Sequence, residues 1–244
     1  MTNHPEKQWR VALMMTEENP AGREYLKAIF DVGIVPVAVI VEYSKAARQS
    51  LEYNTRRMGG QYEPPPTVDL LHGRDVPVYV TKRHSSPECN ALVQRLSLDF
   101  VVAGGVGGIL RRDTLAIPKL GFIGCHPGLL PKMRGSNPII QAILNDFPQG
   151  ATCFQMDEGI DTGAIIHSAP LEVHRGDTYE AIEARMLQWC GCVLKTGLQK
   201  VLDGFRDFEV QRPEDGTEFK RATPQMLTEA RQKLADQSYA CYAR

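Results

Sequence analysis

Two short apolar runs bracket one helical stretch near the start of the chain, and this alternation constrains the fold more than any other feature. Arg10 to Thr16 (RVALMMT) is a continuous apolar run between polar residues, the pattern of a strand buried on both faces. A helical pattern follows from about Ala21 to Val32, with Gly33 placed to cap it. Ile34 to Val41 (IVPVAVIV) is a second β-rich run, with Pro36 near its start, where a strand tolerates proline. Strand, helix and strand joined by so short a return predict a parallel α/β sheet.

The alternation continues. Ser44 to Arg57 reads as a charged helix, residues 59–67 (GGQYEPPPT) as a loop stiffened by prolines, and Val76 to Val80 as a third strand. Pro87 to Leu96 is a helix opened by Ser85 or Ser86. Asp99 to Gly105 is a fourth strand, Arg111 to Ala116 a short helix, and Gly121 to His126 a fifth strand. Residues 136–146 form a helix with Ser136 or Asn137 at its cap and Pro138 in its first turn. Ala151 to Met156 and Ala164 to Val173 are an antiparallel pair joined by DEGIDTG. The longest helix runs from Asp177 or Thr178 to Leu202, with Ile182, Met186, Trp189, Val193 and Leu194 facing inward. After Gly204 the expectation is a strand (FRDFEV), a polar loop (RPEDGTEFKRATP) and a terminal helix, Gln225 to Ala235. The alternation predicts an α/β chain with a parallel sheet and an antiparallel pair, with a change of character after Gly204 that leaves a small extension over 204–244.

Charge and cysteine usage narrow the functional classes. The net charge is −1, with acids and bases nearly balanced, so there is no electrostatic footprint for nucleic acid. Lys45, Arg48, Arg56 and Arg57 read as a solvated helix face, with a grip on an anionic substrate as the alternative. The six cysteines lack a disulfide-framework spacing, and Cys190-Gly-Cys192 falls in a helical pattern without a second ligand pair, so no metal site is expected. The polar start (MTNHPEKQWR) lacks the apolar core of a signal peptide, and no apolar run is long enough to span a membrane. A reduced, cytoplasmic protein without a membrane partner is expected; a homodimer is compatible with the sequence.

The chemistry concentrates between Gly124 and Ile165. His126 ends the fifth strand, two residues after Gly124, so both positions project from one face of it. Pro127-Gly128 then turns the chain, leaving the imidazole at the sheet's carboxyl edge, where open α/β sheets bind ligands. Asp161 lies in DEGIDTG, between glycines that let the loop bend around a ligand. Histidine and aspartate on two such loops are natural acid–base partners, although His126 alone reads first as a hydrogen-bonded strand end, and Asp161 alone also reads as a turn-forming residue. Gly104, Gly105, Gly107 and Gly108 end the fourth strand, not the first, so they are not a dinucleotide fingerprint. They read either as backbone that approaches a flat ligand closely or as a tight turn.

HPGLLPKMRG, a helix, and then ATCFQMDEGIDTGAII together resemble the folate-dependent formyltransferase family, which includes methionyl-tRNA formyltransferase, glycinamide ribonucleotide transformylase and sugar N-formyltransferases. The resemblance runs from the first strand through the long helix and is sharpest over residues 99–165. It implies a Rossmann-like, doubly wound, mostly parallel sheet with an antiparallel hairpin, a catalytic domain over residues 9–203, and 10-formyltetrahydrofolate as the formyl donor. It also implies a pterin site made by the backbone of Gly108, Ile109 and Leu110, with Asp157, Glu158, Gly159 and Ile160 on the opposite side. His126 matches the residue that stabilises the oxyanion of a tetrahedral intermediate, and Asp161 the residue that manages the amine's proton. Arg134, after the LLP loop, is a candidate for contacting the acceptor or for fixing that loop.

One position departs from the family pattern. Family transferases carry asparagine two residues before the histidine, aimed at the oxyanion; here that residue is Gly124. Losing one oxyanion donor costs roughly 100- to 1,000-fold in rate. Either another donor substitutes (Asn137, Ser136 or a water), or the chain is hydrolase-like with water or a thiol as acceptor, or it binds folate without turnover. Formyl transfer to a small-molecule amine is the expectation. The stretch after Gly204 is too small and too mixed in charge for a transfer-RNA domain, and residues 16–22 (TEENPAG) lack the glycine/serine run expected for glycinamide ribonucleotide.

Overall fold

The computed structural model describes residues 8–106 and 108–243; the first seven residues, Gly107 of the glycine cluster and Arg244 lie outside them. In chain order the elements are β1 (Val11–Thr16), α1 (Pro20–Asp31), β2 (Ala38–Glu42), α2 (Lys45–Arg57), α3 (Thr67–Leu71) and β3 (Val78–Thr81). Next come α4 (Pro87–Leu96), β4 (Phe100–Ala103), α5 (Arg112–Leu115), β5 (Phe122–His126), β6 (Met133–Gly135) and α6 (Pro138–Leu144). The chain closes with β7 (Gly150–Gln155), β8 (Ile165–Pro170), α7 (Tyr179–Leu202), β9 (Thr217–Phe219) and α8 (Pro224–Ala235).

Seven strands form the main sheet in the order β3-β2-β1-β4-β5-β7-β8. The first five in sequence pair in parallel, whereas β7 pairs antiparallel with both β5 and β8. The winding direction reverses between β1 and β4, which places a topological switch point at their carboxyl ends. Every residue of β1 is buried, as a central strand covered on both faces demands. Strand alternation then sorts side chains into two cores. Leu13, Met15, Val39, Val102 and Ile123 pack with α1 and α7, while Ala12, Met14, Ile40, Val101 and Phe122 pack with Cys89 and Val93 of α4.

Local signals hold where turn chemistry is strong. Asn19 caps α1 by accepting from the Ala21 amide at 2.9 Å, and Gly33 takes the left-handed φ of +78° that ends it. Ser86 caps α4 and Thr178 caps α7 in the same way. A Cβ on Gly104 would sit 2.5 Å from Gly22 Cα, so these two glycines let the start of α1 press against the end of β4.

The structure corrects the sequence expectation in several places. β2 starts at Ala38, beyond Pro36, and Trp189 is only partly buried. FRDFEV is not a strand; it makes a single antiparallel bridge, Glu209 to Ile165. The polar loop after it contains a 3₁₀ turn, Pro213–Asp215, and β9, which pairs in parallel with β6. Both strands of that small sheet have three residues, too short for a periodicity to register. Gly135, at φ +95°, permits the pairing, since a Cβ there would lie 2.3 Å from Phe219 O. The segment after Gly204 shares the main core, to which Ala230, Leu234 and Tyr239 belong. Among the described residues, no helix is long and apolar enough to cross a membrane.

Candidate active site

Three segments converge at the carboxyl edge of β5. The pleat puts Gly124 opposite Phe154 and His126 opposite Thr152 of β7. Beyond Pro127, a Cβ on Gly128 would lie 2.8 Å from His126 Nε2 and 3.0 Å from Met133 O, so only glycine lets the chain fold back over the imidazole. The return strand β6 then supplies two backbone groups. Met133 O lies 2.6 Å from His126 Nε2, and the Gly135 amide donates to Asp161 Oδ2 at 2.9 Å. The same Oδ2 is 3.3 Å from His126 Nδ1. The expected pair is therefore brought together, with His126 buried and Asp161 partly so.

The hydrogen-bond geometry sets the proton inventory. A carbonyl can only accept, so Nε2 carries a proton. Nδ1 faces the Asp161 carboxylate at ion-pair distance, so an imidazole and a carboxylate lie within proton-transfer reach of each other. That is the equipment of a general acid–base pair.

The acidic loop is shaped to present Asp161. Asp157 Oδ1 accepts from the Gly159 amide at 3.1 Å and from Thr162 Oγ1 at 2.7 Å, folding the loop onto itself. Gly163 brings the chain back so tightly that a Cβ would overlap Gln155 O. Asp161 itself adopts φ +54°, a left-handed conformation unusual for a side-chain-bearing residue. Gln211 holds it there: Nε2 donates to Asp161 O at 3.0 Å and to Gly163 O at 2.6 Å. Sequence reading missed Gln211, Met133 and Gly135. Two of the three act through the backbone, and Gln211 lies in a polar stretch with nothing to mark it.

Arg134 completes this support. Its guanidinium is buried and donates to Gln211 Oε1 at 3.0 Å, Pro213 O at 3.1 Å and Arg212 O at 2.7 Å. It fixes the C-terminal segment against β6 instead of lying open to an acceptor, which corrects the substrate-contact expectation. Asn137 is the N-cap residue of α6, at φ +53°, and its carbonyl accepts from the Gln141 amide at 3.1 Å, but its side chain makes no capping hydrogen bond. Its Nδ2 donates to Tyr53 Oη at 2.8 Å and its Oδ1 accepts from the Ala222 amide at 3.0 Å. At Gly124 a Cβ would meet Met156 Sδ at 3.4 Å and Phe154 Cε1 at 3.6 Å, so a thioether and a ring edge face that position.

The two segments expected around a pterin are bridged. Arg112 Nε pairs with Glu158 Oε2 at 2.8 Å, and the Arg112 amide approaches Glu158 Oε1 at 3.3 Å. Leu110 is buried in the core and anchors its loop, while Ile109 and Ile160 are exposed. The glycine cluster divides in two. Gly104 and Gly105 serve packing against Gly22 and Asn19, whereas Gly108, at φ +143°, has open space where a Cβ would be.

Two cavities adjoin this edge and share Asn54 and Arg57. The smaller, about 220 Å³, is lined by Tyr25, Cys125, Pro127, Met186 and Cys190 among others. Burial pushes the Tyr25 hydroxyl and the Cys125 thiol well above their ordinary values, each raised further by neighbouring thiols. Tyr25 is thus a neutral donor, to Cys125 O at 2.7 Å, and the Cys125 thiol stays protonated and weakly nucleophilic. The larger cavity, about 680 Å³, lies between α2 and residues 136, 137 and 221.

A doubly wound sheet with a histidine–aspartate contact at its carboxyl edge defines an open-sheet α/β protein with its candidate site at that edge. The family described as Formyl transferase matches residues 10–194, and the chain belongs to that family. Methionyl-tRNA formyltransferase of Halorhodospira halophila is 30% identical over 195 residues, covering 80% of this chain and 59% of that protein. For other methionyl-tRNA formyltransferases the covered share is 43% to 48%, so the chain spans about half the length of the curated relatives it matches. Among solved structures, phosphoribosylglycinamide formyltransferase from Anaplasma phagocytophilum superimposes with TM-score 0.64 at 21% identity, covering 89% of this chain and all of the other. An N-formyltransferase from Helicobacter canadensis, in complex with folinic acid and dTDP-3-aminofucose, gives 0.66 at 17% identity, covering 97% and 84%. A formyltetrahydrofolate deformylase from Pseudomonas syringae gives 0.61 at 22% identity, covering 84% and 67%. These three likenesses establish the fold.

Proposed function

We propose that this chain transfers a formyl group from 10-formyltetrahydrofolate to the amine of a small-molecule acceptor. The observation that carries the reading is the His126–Asp161 contact at 3.3 Å, held by two backbone groups of β6 within a formyl transferase family domain. The donor fits the residues present. Gly108 offers backbone unshielded by a side chain, Ile109 and Ile160 offer exposed apolar surface, and the Arg112–Glu158 bridge ties their loops together. The bound donor supplies an electrophilic formyl carbon.

The dyad performs the proton bookkeeping. As the acceptor nitrogen bonds to the formyl carbon, the carbonyl oxygen becomes an oxyanion and the nitrogen becomes acidic. Asp161 takes the nitrogen's proton, and the positively charged form of His126 offsets the oxyanion. When the bond from carbon to N10 breaks, the proton passes from the dyad to N10, leaving formylated acceptor and tetrahydrofolate.

Position 124 contributes no donor to the oxyanion. Asn137 retains one N–H beyond that given to Tyr53, and exposed Ser136 adjoins it. The missing donor at Gly124 also supports a second reading, hydrolysis, in which water replaces the amine. Incubation with 10-formyltetrahydrofolate, with and without a panel of amines, separates the two by following tetrahydrofolate release. Amine-dependent release is expected, and release without amine would favour hydrolysis. Asp161→Asn lowers the rate by at least about 100-fold if Asp161 carries the proton. An unchanged rate in that variant sinks the assignment.

A further inference from the structure

The larger cavity unites residues that sequence reading left apart. Arg56 and Arg57 end α2, and Arg221 follows β9, yet all three line this 680 Å³ space together with Tyr53 and Asn137. The floor is stitched from three segments. Tyr53 of α2 accepts from Asn137 before α6, and Asn137 accepts from Ala222 in the C-terminal segment. The Tyr53 ring has guanidinium groups near it, Arg57 at 5.3 Å and Arg221 at 5.1 Å from its centroid.

These arginines are not equivalent. Arg57 is bonded to Glu183 through Nε at 3.0 Å and Nη2 at 2.5 Å, so its charge is neutralised within the fold. Among the described residues, neither Arg56 nor Arg221 has a carboxylate within ion-pairing distance, and both are exposed. Glu52 is the one acidic residue among those lining this cavity. Two unspent guanidiniums on one concave wall, in a chain of net charge −1, are a local anion field that the overall composition conceals. The family match ends at residue 194, so Arg221 and Ala222 come from outside the matched domain.

We infer that this cavity anchors the acceptor, and that the acceptor is an amine carrying an anionic group, phosphate or carboxylate, held by Arg56 and Arg221. Its connection to the dyad is direct along the backbone. Ser136 and Asn137 of the cavity wall follow Gly135, whose amide holds Asp161. An acceptor anchored by its anion on α2 and the C-terminal segment presents its amine toward that end of β6. The inference rests on the formyl-transfer reading only for calling the bound species the acceptor.

The test needs no formyl donor. Isothermal titration of inorganic pyrophosphate, and separately of succinate, into the full chain is expected to show saturable binding. The anion that binds more tightly identifies phosphate or carboxylate as the preferred group. An R56A/R221A double variant weakens that binding at least tenfold, Arg221→Lys keeps it within a few-fold, and Asp161→Asn binds as the parent does. Absence of saturable binding of either anion, or equal binding by the double variant, overturns the site. The transfer reading fails independently, if no amine elicits tetrahydrofolate release while pyrophosphate still binds.

Discussion

At the residue scale, two glycines four positions apart do opposite jobs. Gly124 sits in a strand with ordinary van der Waals room beside it, a Cβ there meeting Met156 and Phe154 at 3.4 to 3.6 Å, so what matters is the asparagine side chain that the family pattern has there and this chain lacks. Gly128 is sterically required, since any Cβ would collide with the His126 ring and with Met133 O. The two positions therefore respond differently to the same substitution. Gly124→Ala is expected to change stability by less than about 1 kcal/mol and to leave turnover within a few-fold, its Cβ filling space against Met156. Gly128→Ala is expected to displace the imidazole and lower turnover by at least about tenfold, since misplacing a catalytic group by even 1 Å is costly. Tetrahydrofolate release, read beside denaturant midpoints, checks both. Equal loss in the two variants would mean that the Gly124 site is as crowded as the Gly128 site.

At the scale of elements, the His126–Asp161 pair is presented by short strands and the loop between two of them. β5 supplies His126, β6 supplies the groups that orient both partners, and the loop between β7 and β8 supplies Asp161. The strap after α7 locks this arrangement, since Gln211 binds two carbonyls of the acidic loop while Arg134 binds Gln211 and two carbonyls of the strap. Holding a non-glycine residue at φ +54° costs on the order of 1 kcal/mol, and the Gln211 bonds offset that cost. Gln211→Ala is expected to lower kcat about tenfold while destabilising the fold by only about 1–2 kcal/mol. Comparing steady-state rates with urea midpoints tests this. If kcat holds while the midpoint drops, Gln211 is only a structural tie.

At the scale of the whole molecule, stability responds to a buried group far in sequence from the dyad. His84 is almost fully buried against Glu42, which lies 3.3 Å from its Nδ1, and Ile40 O lies 3.4 Å from its Nε2. Burial lowers its pKa from 6.5, a shift that Glu42 and the carbonyls oppose without reversing. The unfolded chain therefore takes up this proton at a higher pH than the folded one, so the His84 contribution to stability declines as pH falls below about 6.5. It levels off once pH passes below the lowered folded value. The urea midpoint is expected to drop between pH 7.5 and 5.5, and to drop less in His84→Gln; an identical drop in both would assign the slope to other groups. The same distinction between local and long-range terms explains what could be read from the residues alone. The parallel sheet, the hairpin, the helix caps and the site loops were legible because continuous apolar runs, cap residues and glycine-rich turns act within a few positions of themselves. The pairing of β6 with β9, the Gln211–Arg134 lock and the cavity joining Arg56 to Arg221 were not. Each depends on contacts between segments 77 to 165 residues apart that carry no periodicity of their own. The sequence by itself determined the fold class and singled out His126 and Asp161 as residues that would meet. Only the tertiary structure decided how the dyad is oriented, that Arg134 is a strut, and where unpaired positive charge collects, because backbone carbonyls and long-range packing set those and neither is written in residue type.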